Sequence, residues 1–322
     1  MSQNEAKRYI RQEPLPFGDY LHPSNREVID PSTPRVWSHL DYFSATFGYP
    51  EMDMHGTKIM TPFWREWFDV SHQIDGVRFY RSGAQLFPAG RLYWNGSQKE
   101  RGGYLIMSGD ELALVRNYHK VDDKQFLVRM MPFVQSVTRL DFCTNIEDGH
   151  PRQALKHWRK GKKVSRARTC ERHDEFSKRR GYTVYIGSDQ SDKMLRVYDK
   201  IAELKLDGGV WTRIEMQLRN EPALRLADVM RRNDVKASGK TAIRNFVDFP
   251  ELEWYQLATQ SDNVEMTLTP SRETSFMRWL NEQVAPGIEK RLAANIDTCE
   301  IVEWIENIRQ VSEEYRAAHD CT

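Results

Sequence analysis

The chain has 322 residues, of which 39% are hydrophobic and 29% charged, with a formal net charge of +1. This balance excludes a disordered chain and a membrane protein. The apolar runs are only a few residues long, far short of the ~20 needed to cross a bilayer, and the first residues have no apolar h-region, so a soluble cytoplasmic protein is expected. Cys143, Cys170, Cys299 and Cys321 are scattered, without a C-x-x-C or a paired Cys/His spacing, which argues against structural zinc and for reduced thiols.

In chain order, residues 1–35 carry prolines and little periodicity, which predicts an N-terminal arm. The body opens at Val36 with the strand-like "RVWSHLDYFSATF". Next, "TPFWREWFDVSHQI" places Phe63, Trp64, Trp67 and Phe68 at helical spacing. A similar opening recurs as "SVTRLDFCTNIED", where Leu140-Asp141-Phe142 matches Leu40-Asp41-Tyr42, and a helical "HPRQALKHWRKGKK" follows it. "RLYWNGSQKERGGYLIMSG" (Arg91 to Gly109) then parallels "TVYIGSDQSDKMLRVYDK" (Thr183 to Lys200): each has an aromatic, Gly-Ser, a polar turn and an apolar strand. The pattern predicts an α+β fold in which two similar βαββ-type halves, about 36–120 and 130–220, build an antiparallel sheet with helices on one face. Beyond Arg219 the strand signals fade. "EPALRLADVMRR" and the amphipathic stretches after Pro270 predict a helical C-terminal region over 221–322.

Side chains alternate across a strand, so each strand sorts into an apolar and a polar face. In "TRIEMQLR" the polar face holds Arg213, Glu215, Gln217 and Arg219; in "TRLDFCT" it holds Arg139, Asp141 and Cys143; in "MLRVYDK" it holds Arg196, Tyr198 and Lys200. Aspartate is depleted from strand interiors and needs a reason to be there. Two carboxylates beside arginines and a tyrosine are what a hard divalent cation and a phosphate would require.

On "TRLDFCTNIED", "YIGSDQSDKMLRVYDKIAE" and "WTRIEMQLRNEPALRLAD", the sequence resembles the replication initiation factor family: rolling-circle initiators of the catalytic-tyrosine type, with relatives among filamentous-phage replication proteins and relaxases. The resemblance spans roughly residues 36–295 and is weaker at "GGYLIMSGDEL" and "MRWLNEQVAPGIEKRL". It implies that a tyrosine attacks one phosphodiester at an origin, leaving a 5′-phosphotyrosyl link and a 3′-OH primer. The nucleophile maps to Tyr198, with Tyr185 and Tyr182 as rivals, and the metal-binding acids map to Asp141 and Glu215, with Mg²⁺ or Mn²⁺ as cofactor. Asp41 stands as a further ligand or as a vestige of the duplication. None of the nine histidines forms a His-hydrophobic-His motif. A phenol with a pKa of ~10 is a weak nucleophile, and Arg196 and Lys200 are expected to favour the phenolate.

Between Lys156 and Arg180 stand eleven Lys/Arg residues against three acidic ones. This cluster, expected to border the active site, assigns Lys160, Lys162, Lys163, Arg166, Arg168, Arg179 and Arg180 to DNA binding, together with Arg139, Arg213 and Arg219 on the strands. The expected partner is single-stranded or hairpin origin DNA. Host helicase and polymerase follow from the resemblance, and the C-terminal helices offer a surface for a homodimer. A relaxase of identical chemistry and a non-catalytic DNA-binding regulator are the competing readings. "SGKT" (Ser238 to Thr241) is not a phosphate-binding loop, because Asp234 occupies the place of its first glycine.

Overall fold

The computed structural model describes residues 34–47, 67–96, 102–165, 167–174, 182–206 and 208–268, all of which belong to one compact unit ending at Leu268. The expected arm, apart from its last residues, and the expected helices after Pro270 lie outside the described residues.

Ten strands form one antiparallel sheet. The first half contributes β1 (Val36–Phe47), β2 (Asp69–Asp75), β3 (Tyr80–Phe87), β4 (Arg91–Gly96) and β5 (Gly103–Ser108). The second contributes β6 (Val134–Ile146), β8 (Cys170–Asp174), β9 (Tyr182–Ile186), β10 (Lys193–Asp199) and β11 (Thr212–Arg219). The short β7 (Val164–Ser165) pairs separately with β12 (Val247–Asp248). The sheet order is β2-β3-β4-β5-β1-β6-β11-β10-β9-β8. Read outward from the centre, each half runs first strand, last strand, and then back in sequence, so the two halves are topological copies joined by the antiparallel β1–β6 pair.

Two details differ from the sequence-based expectation. The strand equivalent to β5 by position is β11, not β10, so the hairpins that look alike in sequence are offset by one strand; the similar Gly-Ser turns mask this shift. The latter part of the stretch expected as the first half's helix is the edge strand β2, paired with β3. Trp67 and Phe68, two of the aromatics that suggested helical spacing, are instead core residues just before it, 2% and 1% exposed. Phe63 and Trp64 lie outside the described residues.

The helices are α1 (Gly109–His119), α2 (Asp123–Met130), α3 (Pro151–Arg159), α4 (Lys200–Glu203), α5 (Asn220–Arg232), α6 (Val235–Phe246) and α7 (Glu253–Thr259). Their starts follow capping chemistry. Asp122 and Asp234 accept from the backbone N–H three residues on, and Pro151 opens α3 behind a His150 cap. The apolar faces of the central strands, with Leu140, Phe142, Leu195, Val197, Ile214, Met216 and Leu218, are fully or almost fully buried in one core with Leu226, Met230, Ile243 and Tyr255 of the C-terminal helices. Each such side chain stabilises the fold by about 1.5–3 kcal/mol. Gly239 of the "SGKT" stretch sits within α6 where an added Cβ would lie 2.4 Å from the Phe142 ring, so that glycine serves close helix-to-sheet packing.

Candidate active site on the polar face of the sheet

Strand register brings the polar residues together. Tyr198 of β10 faces Arg213 of β11, and Arg196 faces Glu215. Across β11 and β6, Arg213 is opposite Asn145, Glu215 opposite Cys143, and Gln217 opposite Asp141. Across β6 and β1, Cys143 is opposite His39 and Asp141 opposite Tyr42, with a register shift that leaves Asp41 as the extra residue of a bulge. Four strands from both halves thus contribute to one polar strip.

The strip is closely paired and largely buried. Tyr198 Oη donates to Glu215 Oε2 at 3.0 Å, while Arg196 forms an ion pair with Glu215 Oε1. Arg139 Nε donates to both Asp141 oxygens, at 2.9 and 3.1 Å, and its guanidinium lies 4.3 Å from the Tyr42 ring centroid. Arg213 grips Asp41 through Nη1 at 3.0 and 3.1 Å and donates from Nε to Asn145 Oδ1 at 2.7 Å; Trp211 Nε1 donates to the same oxygen at 2.9 Å. Asp141 and Glu215 are 1% and 0% exposed, so their charge is tolerable only because these arginines compensate it. Arg196 Nε is buried with no hydrogen-bond partner, a donor left without an acceptor.

Burial and the neighbouring Glu215 push the Tyr198 phenol well above its ordinary value, with Arg213 opposing them. The expectation that Arg196 and Lys200 favour the phenolate is therefore corrected. Arg196 is spent on Glu215, and Lys200 opens α4 rather than continuing the strand, where it pairs with Glu203. The two cations lie over the Tyr198 ring, 5.8 and 5.7 Å from its centroid. Burial raises Asp141 to about 7, with Glu215 adding to the rise and Arg139 opposing it. Burial would raise Asp41 as well, but Arg213 and then His39 hold it well below the usual carboxylate range.

His39 Nε2, an Asp41 carboxylate oxygen and Cys143 Sγ all lie within 4.8 Å of one another, the one such three-residue cluster among the described residues. Its nitrogen, oxygen and sulfur donors suit a borderline ion such as Zn²⁺ better than Mg²⁺. Burial would lower His39, yet Cys143 and Asp41 outweigh it and raise it to about 9, so a metal would displace that proton on binding. Sequence reasoning missed His39 and Cys143 as partners. Neither stands in a spaced motif, and only the β1–β6 register makes them neighbours. Asp141 and Glu215 offer the oxygens that Mg²⁺ takes, although both oxygens of each are already hydrogen-bonded.

The other residues expected to bind DNA are dispersed. Arg213 is 6% exposed, so its place is inside the strip rather than on a surface. Arg219 donates to the Asp189 carbonyl at the tip of the β9–β10 turn. Lys162 pairs with Glu251, and Lys163 lies 4.1 Å from the Trp158 ring centroid. Lys160 and Arg168 are exposed. Arg166, Arg179 and Arg180 lie outside the described residues. The described start of the basic cluster, on α3, does not border the strip. Tyr182, Val184 and Ile186 turn toward α3 and the core, whereas Thr183 and Tyr185 pair with Tyr198 and Arg196 on the opposite face.

Among the described residues no helix is long and apolar enough to cross a membrane. No curated protein matches the chain. A solved rolling circle replication initiator protein from Geobacillus stearothermophilus is 20% identical, with a TM-score of 0.56 over 67% of this chain and 87% of that one, and it shares the fold. The profile of the family described as replication initiation factor matches residues 135–305, which contain β6 from its second residue, β10 and β11, and so most of the polar strip. By that match over more than half its length, and with the duplicated sheet in place, the chain belongs to the replication initiation factor family.

Proposed function

We propose that the protein starts rolling-circle replication by nicking one DNA strand at an origin, with Tyr198 as nucleophile. The observation that carries this reading is the Tyr198–Glu215 hydrogen bond beside the unsatisfied Arg196 Nε. A phenol already bonded to a buried carboxylate has its base in place, and a buried guanidinium N–H without an acceptor suits a phosphate oxygen. In the reaction the Tyr198 Oη–P bond forms as the P–O3′ bond breaks. The phenolic proton passes to Glu215 Oε2, and the 3′ oxygen leaves as a hydroxyl protonated by water. The phosphotyrosyl ester conserves the bond energy, so no nucleotide triphosphate is needed.

Arg139 and Arg196 turn from their carboxylates to the scissile phosphate in this scheme, and Lys200 stays over the tyrosine ring. Asp141 and the Oε1 side of Glu215, released by that exchange, would hold Mg²⁺ or Mn²⁺. Such an ion offsets charge on the non-bridging phosphate oxygens. The partner is single-stranded or hairpin origin DNA, since a nucleophile this deep needs a strand that can leave its duplex.

The test is to incubate the protein with Mn²⁺ or Mg²⁺ and a single-stranded origin oligonucleotide and look for an adduct that survives denaturation. Loss of the adduct in Tyr198→Phe with retention in Tyr185→Phe supports the assignment. Retention in Tyr198→Phe overturns it, and no adduct with any origin-derived DNA would leave a DNA-binding regulator.

A further inference from the structure

On the opposite side of the sheet from Tyr198, a cavity of about 560 Å³ lies between α3 and the outer strands β8 and β9. α3 lines it with Arg152, Lys156, Arg159 and Lys160, spaced so that they share one helical face, and β8 adds Arg172. All five side chains belong to exposed residues, and among the described residues none of the four on α3 has a carboxylate partner. Four cations at α3 thus crowd one side of a concavity whose described lining holds no acidic residue, and such a concentration of positive charge attracts an anion.

The floor of the cavity indicates which part of a nucleic acid it takes. Tyr182 is 7% exposed, with the guanidinium groups of Arg152 and Arg172 at 5.1 and 5.6 Å from its ring centroid. Buried and approached by these cations, the ring is not offered to a base. Single-strand binding relies on aromatic faces that stack bases, whereas duplex binding relies on cations placed against phosphates. The site also lies across the sheet from the nicking strip, where the strand being cut does not run.

Resting on the reading of this chain as a DNA-nicking initiator, we propose that the α3 cavity binds backbone phosphates of duplex DNA flanking the nick, independently of sequence. It would hold the origin's double-stranded arm while the polar strip works on the unpaired strand.

The test uses the full-length protein and two probes: a random-sequence 30-base-pair duplex and an eight-nucleotide single strand, each followed by fluorescence anisotropy from low to moderate salt. Because the contact is sequence-independent, the origin need not be known. Lys156→Ala combined with Arg159→Ala, both exposed and thus compatible with folding, should weaken duplex binding tenfold or more near physiological salt. It should also reduce the slope of log K against log salt by roughly 2, since each phosphate contact contributes about 0.9. Binding of the short strand should stay within twofold of wild type. An unchanged duplex slope overturns the proposal, as does an equal loss for both probes, which would place these cations on the single-strand path. Because the readout is binding, it stands apart from the adduct assay, so failure of the nicking assignment and failure of this site are distinguishable.

Discussion

Tyr198 and Glu215, one strand apart, share a hydrogen bond of 3.0 Å in a setting where both side chains are buried. The carboxylate that raises the phenol's pKa is also the group positioned to take its proton. The tyrosine is thus held neutral.

If Glu215 is the base, Glu215→Gln should lower the rate of covalent adduct formation by about 10²–10⁴-fold, the usual range for a positioned general base. The same substitution removes a negative charge and so lowers the phenol's pKa, since Glu215 is one of the causes of its elevation. A partial return of activity at alkaline pH, followed in single-turnover assays, is the expected signature. Wild-type rates in this variant would remove Glu215 from the mechanism.

Asp141 has a folded-state pKa of about 7, above the ~3.9 of an unfolded aspartate. A raised value means that its contribution to stability is present below about pH 4 and is lost as the pH rises toward 7, because the ionised form is the costly one. In metal-free buffer, Asp141→Asn should therefore gain stability relative to wild type between pH 4 and 7, by up to about 1.4 kcal/mol for each pH unit. Urea unfolding at a series of pH values measures this, and a flat difference would show that the carboxyl is not raised.

Arg213→Met removes the main ion-pair partner of Asp41, leaving His39 at 3.5 Å as its remaining close cation, and strips Asn145 of a donor. A loss of about 3–5 kcal/mol is expected. Adding Asp41→Asn should restore part of it, giving a coupling energy of 1 kcal/mol or more in a double-mutant cycle by chemical denaturation.

Co²⁺ titrated into the reduced protein should bind at His39, Asp41 and Cys143 and produce a near-ultraviolet thiolate-to-metal absorption band. Cys143→Ser should abolish the band while leaving far-ultraviolet circular dichroism unchanged. A band that persists would locate the thiolate ligand elsewhere in the chain.

Gly239→Ala gains helix propensity yet drives a methyl group into the Phe142 ring. Overpacking should win, with a net loss of about 1–3 kcal/mol in thermal or urea unfolding. Stabilisation would mean that the ring has room to move.

Much of this was legible in one dimension. Alternation in "TRLDFCT", "MLRVYDK" and "TRIEMQLR" placed Asp141, Tyr198 and Glu215 on polar faces, because a strand's period of two is a local property of the backbone. The repeated Leu-Asp-aromatic opening announced the duplication for the same reason. Which strands are neighbours is not local. The one-strand offset between the halves, the conversion of the stretch around Val70 from expected helix to edge strand β2, and the placing of α3 across the sheet from Tyr198 depend on pairings between residues far apart in the chain. So do the partners of the charges. The sequence placed Arg196 and Lys200 beside Tyr198, but tertiary packing sent Arg196 to Glu215 and brought Arg213 onto Asp41 from the other half, while Lys200 paired locally with Glu203 within α4. Residue types and faces follow from local covalent geometry. Register, burial and the choice among competing ion pairs were decided only when the two halves closed along β1 and β6 into one sheet.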